Sequence, residues 1–315
     1  MSGSTLRRLI EITNTIQHTL YWTGRYDLAF RAFSGRNAGS LHNKDSMNAT
    51  FPTSNSELNA VLHEFIKSVQ KVLKQNFVSA YLQGSFAVGD WDDDSDVDFT
   101  IVITNDISKE ELQALQAMHA RIYNLESEWA KHLEGSYFPG SILKRGDPAK
   151  KEIWYLDNTQ DKLVLSNHDN TFVVRWVVRE YGITLAGSDP KELIDLVATD
   201  DLRQEISFTM QEWADEIFSG QWKMDNKWAQ PYAVLSYCRM LHSLDTGSIA
   251  SKLSGAQWAK DTLGNRWAGL IQRAWDERPN PSLKVRQPVE PSEVKNTKEF
   301  IRFALERGQS YGIGK

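Results

Sequence analysis

The segment Tyr81-Leu-Gln-Gly-Ser-Phe-Ala-Val-Gly-Asp-Trp-Asp-Asp-Asp-Ser-Asp-Val-Asp-Phe-Thr-Ile-Val-Ile103 joins two apolar runs through an acidic loop. Its spacing predicts a strand over 78–83, a turn at Gly84-Ser85 and a second strand over 97–103. Alternate side chains of a strand share a face. Asp96 and Asp98 therefore project side by side where the second strand begins, while Val97, Phe99 and Ile101 turn to the core. Two hard oxygen ligands so placed suit Mg²⁺ carrying the phosphates of a nucleotide. Gly84 lets the backbone approach closely, and the hydroxyl and amide of Ser85 are available to a phosphate oxygen. Asp is common in turns, so an isolated Asp-x-Asp describes only an acidic hairpin. The order strand, Gly-Ser, acidic loop, Ser95-Asp96-Val97-Asp98, strand is far more specific. A Ca²⁺ loop on Asp90, Asp92 and Asp94 fails, because Ser95 and Ile101 stand where an EF-hand needs Gly and Glu.

Outward from this segment, Ser54 with Glu57 has the form of a capping box. Leu58, Val61, Leu62, Phe65, Ile66, Val69, Val72 and Leu73 follow at helical spacing. Ser108 with Glu111 opens a second helix, and a third strand is expected over 133–138. The order of elements indicates an α+β fold with a small mixed sheet. A helix over 170–181 and a turn over 182–190 close that part. Beyond Asp200 the pattern is helical (202–218, 231–244, 256–275), then a proline-marked extended stretch and a last helix over 298–307. The division expected is 1–54 as an unassigned extension with a short helix at 5–20, 55–195 as an α+β domain, and 196–315 as a helical domain.

Composition narrows the function. The formal net charge of -5 supplies no general basic field and disfavours a nucleic-acid partner. Cys238 is the single cysteine, which excludes an intrachain disulfide and a thiolate cluster and reads as a small core residue. No apolar run reaches the length of a membrane span, and no signal-peptide pattern opens the chain, so a cytoplasmic protein is expected.

Gly84-Ser85, Gly89 and Ser95-Asp96-Val97-Asp98 resemble the signature of the DNA polymerase β-like nucleotidyltransferase superfamily. The resemblance implies that Asp96 and Asp98 bind Mg²⁺ and act in catalysis. It also implies that a third carboxylate, Glu134, completes the metal site and serves as general base, and that Gly84, Ser85 and Ser95 bind the nucleotide. Asp157, Asp169 and Glu152 compete for the role of Glu134, and Asp169 or Asn170 also reads as a helix cap.

The second half is similar to the streptomycin/spectinomycin adenylyltransferases through Tyr181-Gly-Ile-Thr-Leu-Ala-Gly187, Leu235-Ser-Tyr-Cys-Arg-Met-Leu241, Leu244-Asp-Thr-Gly-Ser-Ile-Ala-Ser-Lys252 and Trp258-Ala-Lys260. That resemblance implies ATP as co-substrate, AMP transferred to a hydroxyl of an aminoglycoside or aminocyclitol, release of pyrophosphate, a role in antibiotic resistance, and Arg239 and Lys252 on the phosphates. One departure stands out. That family places an acidic residue and a histidine just before the Cys-Arg helix, where this chain has Ala229-Gln-Pro-Tyr232. Glu212, Asp215 and Glu216 are the nearby source of negative charge, and Trp213, Trp222, Trp228 and Trp258 read as core packing. Another acceptor (a small molecule, a protein or an RNA end) and a non-catalytic nucleotide-binding module remain the alternative readings.

Overall fold

The computed structural model describes residues 52–147 and 149–311, so the helix expected at 5–20 lies outside the described residues. In chain order the elements are α1 (Ser56–Leu73), β1 (Phe77–Leu82), α2 (Gly84–Val88), β2 (Val97–Ile103), α3 (Lys109–Tyr123) and β3 (Leu133–Pro139). There follow α4 (Gly140–Leu143), β4 (Ile153–Leu156), β5 (Leu163–Ser166), α5 (Phe172–Tyr181), β6 (Ile183–Ala186) and α6 (Pro190–Leu193). The helical region holds α7 (Thr199–Ser219), α8 (Ala229–Thr246), α9 (Lys252–Thr262), α10 (Asn265–Glu277), α11 (Pro281–Lys284) and α12 (Pro291–Gln309). The α+β expectation is met by one six-stranded sheet, ordered β5-β4-β3-β2-β1-β6.

β2 and β3 are parallel neighbours, and the remaining pairs are antiparallel. A parallel pair needs a crossover, and α3 supplies it, opened by the expected capping box between Ser108 and Glu111. One face of the sheet carries Phe99, Ile101 and Tyr137 and packs on the apolar stripes of α1 and α3, including Phe65, Leu115 and Ile122. The other face carries Tyr81, Val102 and Phe138, covered by Val178 and Ile194. The strand-end carboxylates open on this second face.

Several boundaries differ from the sequence expectation. Asn55, not Ser54, caps α1, accepting from the amide of Leu58 at 3.0 Å. The stretch 182–190 contains β6, a short edge strand that pairs with β1. Gly187, at φ +90°, ends it where a Cβ would collide with the backbone of Val78. The helix expected over 256–275 is two helices, broken at Gly264 with φ +85°. The last helix starts earlier, at Pro291, behind a Glu290–Glu293 capping box.

In the helical region α8 is central. It buries Val234, Leu235, Tyr237, Cys238, Leu241 and Leu244 against Ile206 and Met210 of α7, Ile271 of α10, and Phe300 and Ile301 of α12. A helix apolar on nearly every side must be surrounded. Cys238 is the core residue expected. The helical region also grips the sheet region directly: Glu205 of α7 accepts from the amides of Phe172 and Val173 at 2.6 and 3.2 Å. The free N–H groups of α5 and its positive dipole end are thereby satisfied by a carboxylate.

Candidate active site

Parallel register sets Asp98 of β2 directly beside Glu134 of β3, side chains on one face. Asp96 precedes β2 by one residue and shares that face. Gly84 makes the close approach that lets Asp98 lie there: it has φ +62°, and a Cβ on it would overlap Asp98 Oδ2. The Gly84-Ser85 turn is the first turn of α2, closed by Gly89 in the left-handed conformation at φ +82°.

Two of the carboxylates are held by residues the sequence reading did not single out. Tyr155 on β4 donates its hydroxyl to Glu134 Oε1 at 2.5 Å, and Asn158 donates its side-chain amide to Asp96 Oδ1. His168 Nε2 stands 4.0 Å from Glu134 Oε1. Of the competing acids, Glu152 is exposed. Asp157 lies 3.3 Å from the Tyr155 hydroxyl. Asp169 is buried and accepts from Ser136 Oγ at 2.8 Å. It does not cap α5: that role belongs to Thr171, which accepts from the amide of Val174. Thr171 wins because Asp169 is turned into the acidic cluster.

These acids crowd one another. Burial pushes the Asp98 carboxyl up to about 7, helped by the charges of Asp96 and Asp169 and opposed by Lys252 and Arg239. Burial, then Asp96 and Asp98, raise Glu134 well above the usual carboxylate range. Asp96 and Asp169 are raised mainly by burial. Opposite them, from the helical region, stand Arg239 on α8 and Lys252 at the start of α9. Both are pushed down by burial, Lys252 also by Arg239; Tyr232 and Asp98 oppose this at Arg239, and Asp96, Asp98 and Glu134 oppose it at Lys252. Arg239 Nε donates to the carbonyl of Ala250 at 2.9 Å, which fixes its stem, and Gly255 of α9 packs tightly on that same side chain. Ser251 caps α9, and Lys252 is its first residue. Tyr232 joins them; burial and then the charge of Glu134 push its hydroxyl up to about 12.

Ser95 is engaged within its loop, its hydroxyl accepting from the amide of Asp92 at 2.9 Å. Trp213, Trp222 and Trp228 gather around the Tyr232 ring at 5.9, 6.0 and 5.2 Å, all partly exposed, while Trp258 packs on His242. Glu212 and Glu216 on α7 are raised mainly by burial, and Asp215 accepts from Gln211 at 2.9 Å.

As the side chains lie, no three His, Cys, Asp or Glu groups among the described residues stand close enough to surround an ion. Glu134 is drawn to Tyr155, and Asp96 to Asn158. The chemistry nevertheless fits: hard anionic oxygens, adjacent in register and each raising its neighbour's proton affinity, are what a hard cation relieves.

A mixed sheet with paired strand-end carboxylates, facing cations from a helical region, has the charges to hold a metal-bound polyphosphate. Comparison with known proteins agrees and gives the class. Residues 64–139 match the nucleotidyltransferase domain profile, and residues 192–306 match the profile of the aminoglycoside adenylyltransferase C-terminal domain. An aminoglycoside (3'') (9) adenylyltransferase of Shigella flexneri is 23% identical over 228 residues, 70% of this chain and 84% of the relative. A spectinomycin 9-adenylyltransferase of Staphylococcus aureus is 25% identical over 221 residues, 66% of this chain and 80% of the relative. The crystal structure of spectinomycin adenyltransferase AAD(9) from Enterococcus faecialis with ATP and spectinomycin has the same fold. It superposes with a TM-score of 0.60 at 16% identity, over 79% of this chain and 98% of that one. The chain is a nucleotidyltransferase similar to the aminoglycoside adenylyltransferases over most of its length. No helix among the described residues is long and apolar enough to cross a membrane.

Proposed function

We propose that this enzyme transfers AMP from ATP to a hydroxyl of an aminoglycoside or aminocyclitol and releases pyrophosphate, as in antibiotic resistance. The observation that carries the reading is the opposition of Asp96, Asp98 and Glu134 on the sheet to Arg239 and Lys252 on the helices. Asp96, Asp98 and Glu134 would hold Mg²⁺, which when bound neutralises phosphate charge and polarises the phosphoryl oxygens. Gly84, Ser85 and Ser95 meet the phosphates from the sheet side. Arg239 and Lys252 meet them from the helices and offset the charge that gathers on the departing pyrophosphate. Glu134, whose environment makes it a stronger base than an exposed glutamate, takes the proton of the attacking hydroxyl.

The residues are assigned to a sheet domain over 55–195 and a helical domain over 196–315, with the acceptor between them. Tyr232 and its three tryptophans offer aromatic faces to a ring-shaped acceptor, and Glu212 and Glu216 offer negative charge to its amines. ATP labelled at the α-phosphate, incubated with streptomycin, spectinomycin and tRNA, tests the reading. Label on an aminocyclitol with equimolar pyrophosphate is the expected result. Label on tRNA alone would sink the acceptor assignment.

Gly84→Ala tests the close approach at Asp98. The added methyl needs both the space of Asp98 Oδ2 and a positive φ that side chains disfavour. Displacing a reacting-site group by about 1 Å costs on the order of 100-fold. We expect that loss in kcat/KM from initial rates, with the far-UV circular dichroism spectrum unchanged.

A further inference from the structure

The acidic loop between α2 and β2 is fastened to the helical region at three points far from it in sequence. Asp90 accepts from the hydroxyl of Ser251, the residue that caps α9. Both carboxylate oxygens of Asp92 meet the guanidinium of Arg278, just past α10. Asp94 Oδ1 accepts from the backbone N–H of Asn280 at 3.1 Å. Asn280 presents that N–H from the left-handed conformation at φ 59°, which Asn tolerates better than most residues.

Asp92 is also the inner brace of the loop. Its Oδ1 accepts from the amide of Asp94 at 3.2 Å and from Ser95 Oγ at 3.1 Å, and Ser95 adjoins Asp96. Arg278 is built for this pairing. Its side chain is 17% exposed, its guanidinium lies 4.9 Å from the Trp275 ring centre, and its Nε has no hydrogen-bond partner among the described residues. A guanidinium stays charged in a protein, so one this enclosed depends on a carboxylate.

We propose that Arg278 is a positioning residue for the transfer reaction. Acting through Asp92 and Ser95, it holds the acidic loop so that Asp96 and Asp98 are presented to Arg239 and Lys252. The proposal rests on the adenylyl-transfer reading, so its test includes a readout that needs no turnover.

Hydrogen–deuterium exchange of residues 90–98 is compared in the wild type, Asp92→Asn, Arg278→Gln, Arg278→Lys and the Asp92→Asn/Arg278→Gln double variant, with kcat and nucleotide KM measured alongside. In Arg278→Gln the loop amides are expected to exchange at least tenfold faster while those of α1 keep wild-type rates. The kcat should fall about tenfold with KM changed less than threefold. Arg278→Lys should recover part of both losses, and the double variant should be no worse than the poorer single one. Unchanged exchange over 90–98 overturns the proposal whatever the chain turns over. So do single-variant effects that multiply in the double variant, or a faster loop with wild-type kcat. Failure to find any acceptor, with the loop loosened as described, counts against the adenylyl-transfer reading and leaves the fastening role of Arg278 established.

Discussion

Asp98→Asn is expected to abolish nucleotidyl transfer, by about 1,000-fold in kcat, the scale of losing one group that stabilises transition-state charge, and yet to raise the melting temperature of the metal-free protein. The two effects share one cause. Asn keeps the shape of the side chain and removes the charge, and the charge is what Asp98 contributes to the metal and nucleotide site proposed above. Without ligands the same charge is a burden, because Asp98 is enclosed beside Asp96 and near Asp169. Its folded-state pKa of about 7 lies above the ordinary value of 3.8, so the folded chain holds a proton that the unfolded chain has released. The stability tied to that proton is fully present below pH 3.8 and is lost as pH rises through about 7. Each tenfold step in proton affinity is worth about 1.4 kcal/mol. Asp96, Glu134 and Asp169 are shifted in the same direction and steepen the slope. Thermal melts in a chelator between pH 5 and pH 8 are therefore expected to show the variant's advantage growing with pH and levelling off above the folded-state value. An advantage independent of pH would mean that Asp98 is an ordinary carboxylate.

Glu134→Gln is expected to lower kcat by 100- to 10,000-fold, the usual range for removing a general base, with the nucleotide KM changed only a few-fold. Glutamine preserves the hydrogen bond accepted from Tyr155 and the packing of β3, but it takes no proton from an attacking hydroxyl. Glu134 suits that task because burial and two neighbouring carboxylates keep its proton affinity high. Single-turnover rates with saturating ATP read the chemical step directly. A variant that keeps more than a tenth of the wild-type rate would move the base to Asp157 or Asp169, both of which lie within the same cluster.

The parts of this site that could be read from the sequence are those whose signals are local. The alternation through Val97–Ile103 fixed which aspartates share a face, and the strand opening at Leu133 put Glu134 on the next strand. Partnerships made across the fold left no such trace. Tyr155 sits in a strand of four residues, too short for its alternation to speak. Arg278 lies 186 residues from the aspartate it meets. Asp169 looked like a helix cap because Asp and Thr are both capping residues, and only the sheet beside it decides that Thr171 takes the role. β6 was hidden for another reason: four residues between Gly182 and Gly187 read as a turn until β1 is there to pair with them.

The parallel register of β2 and β3 has a practical consequence. Asp98 and Glu134 are separated by the backbone lattice of the sheet, about 4.8 Å between strands, and not by any choice of side chain on the helices. Exchanging α7 and α8 between relatives should therefore leave the spacing of this pair unchanged, provided the graft keeps the three loop attachments at Ser251, Arg278 and Asn280.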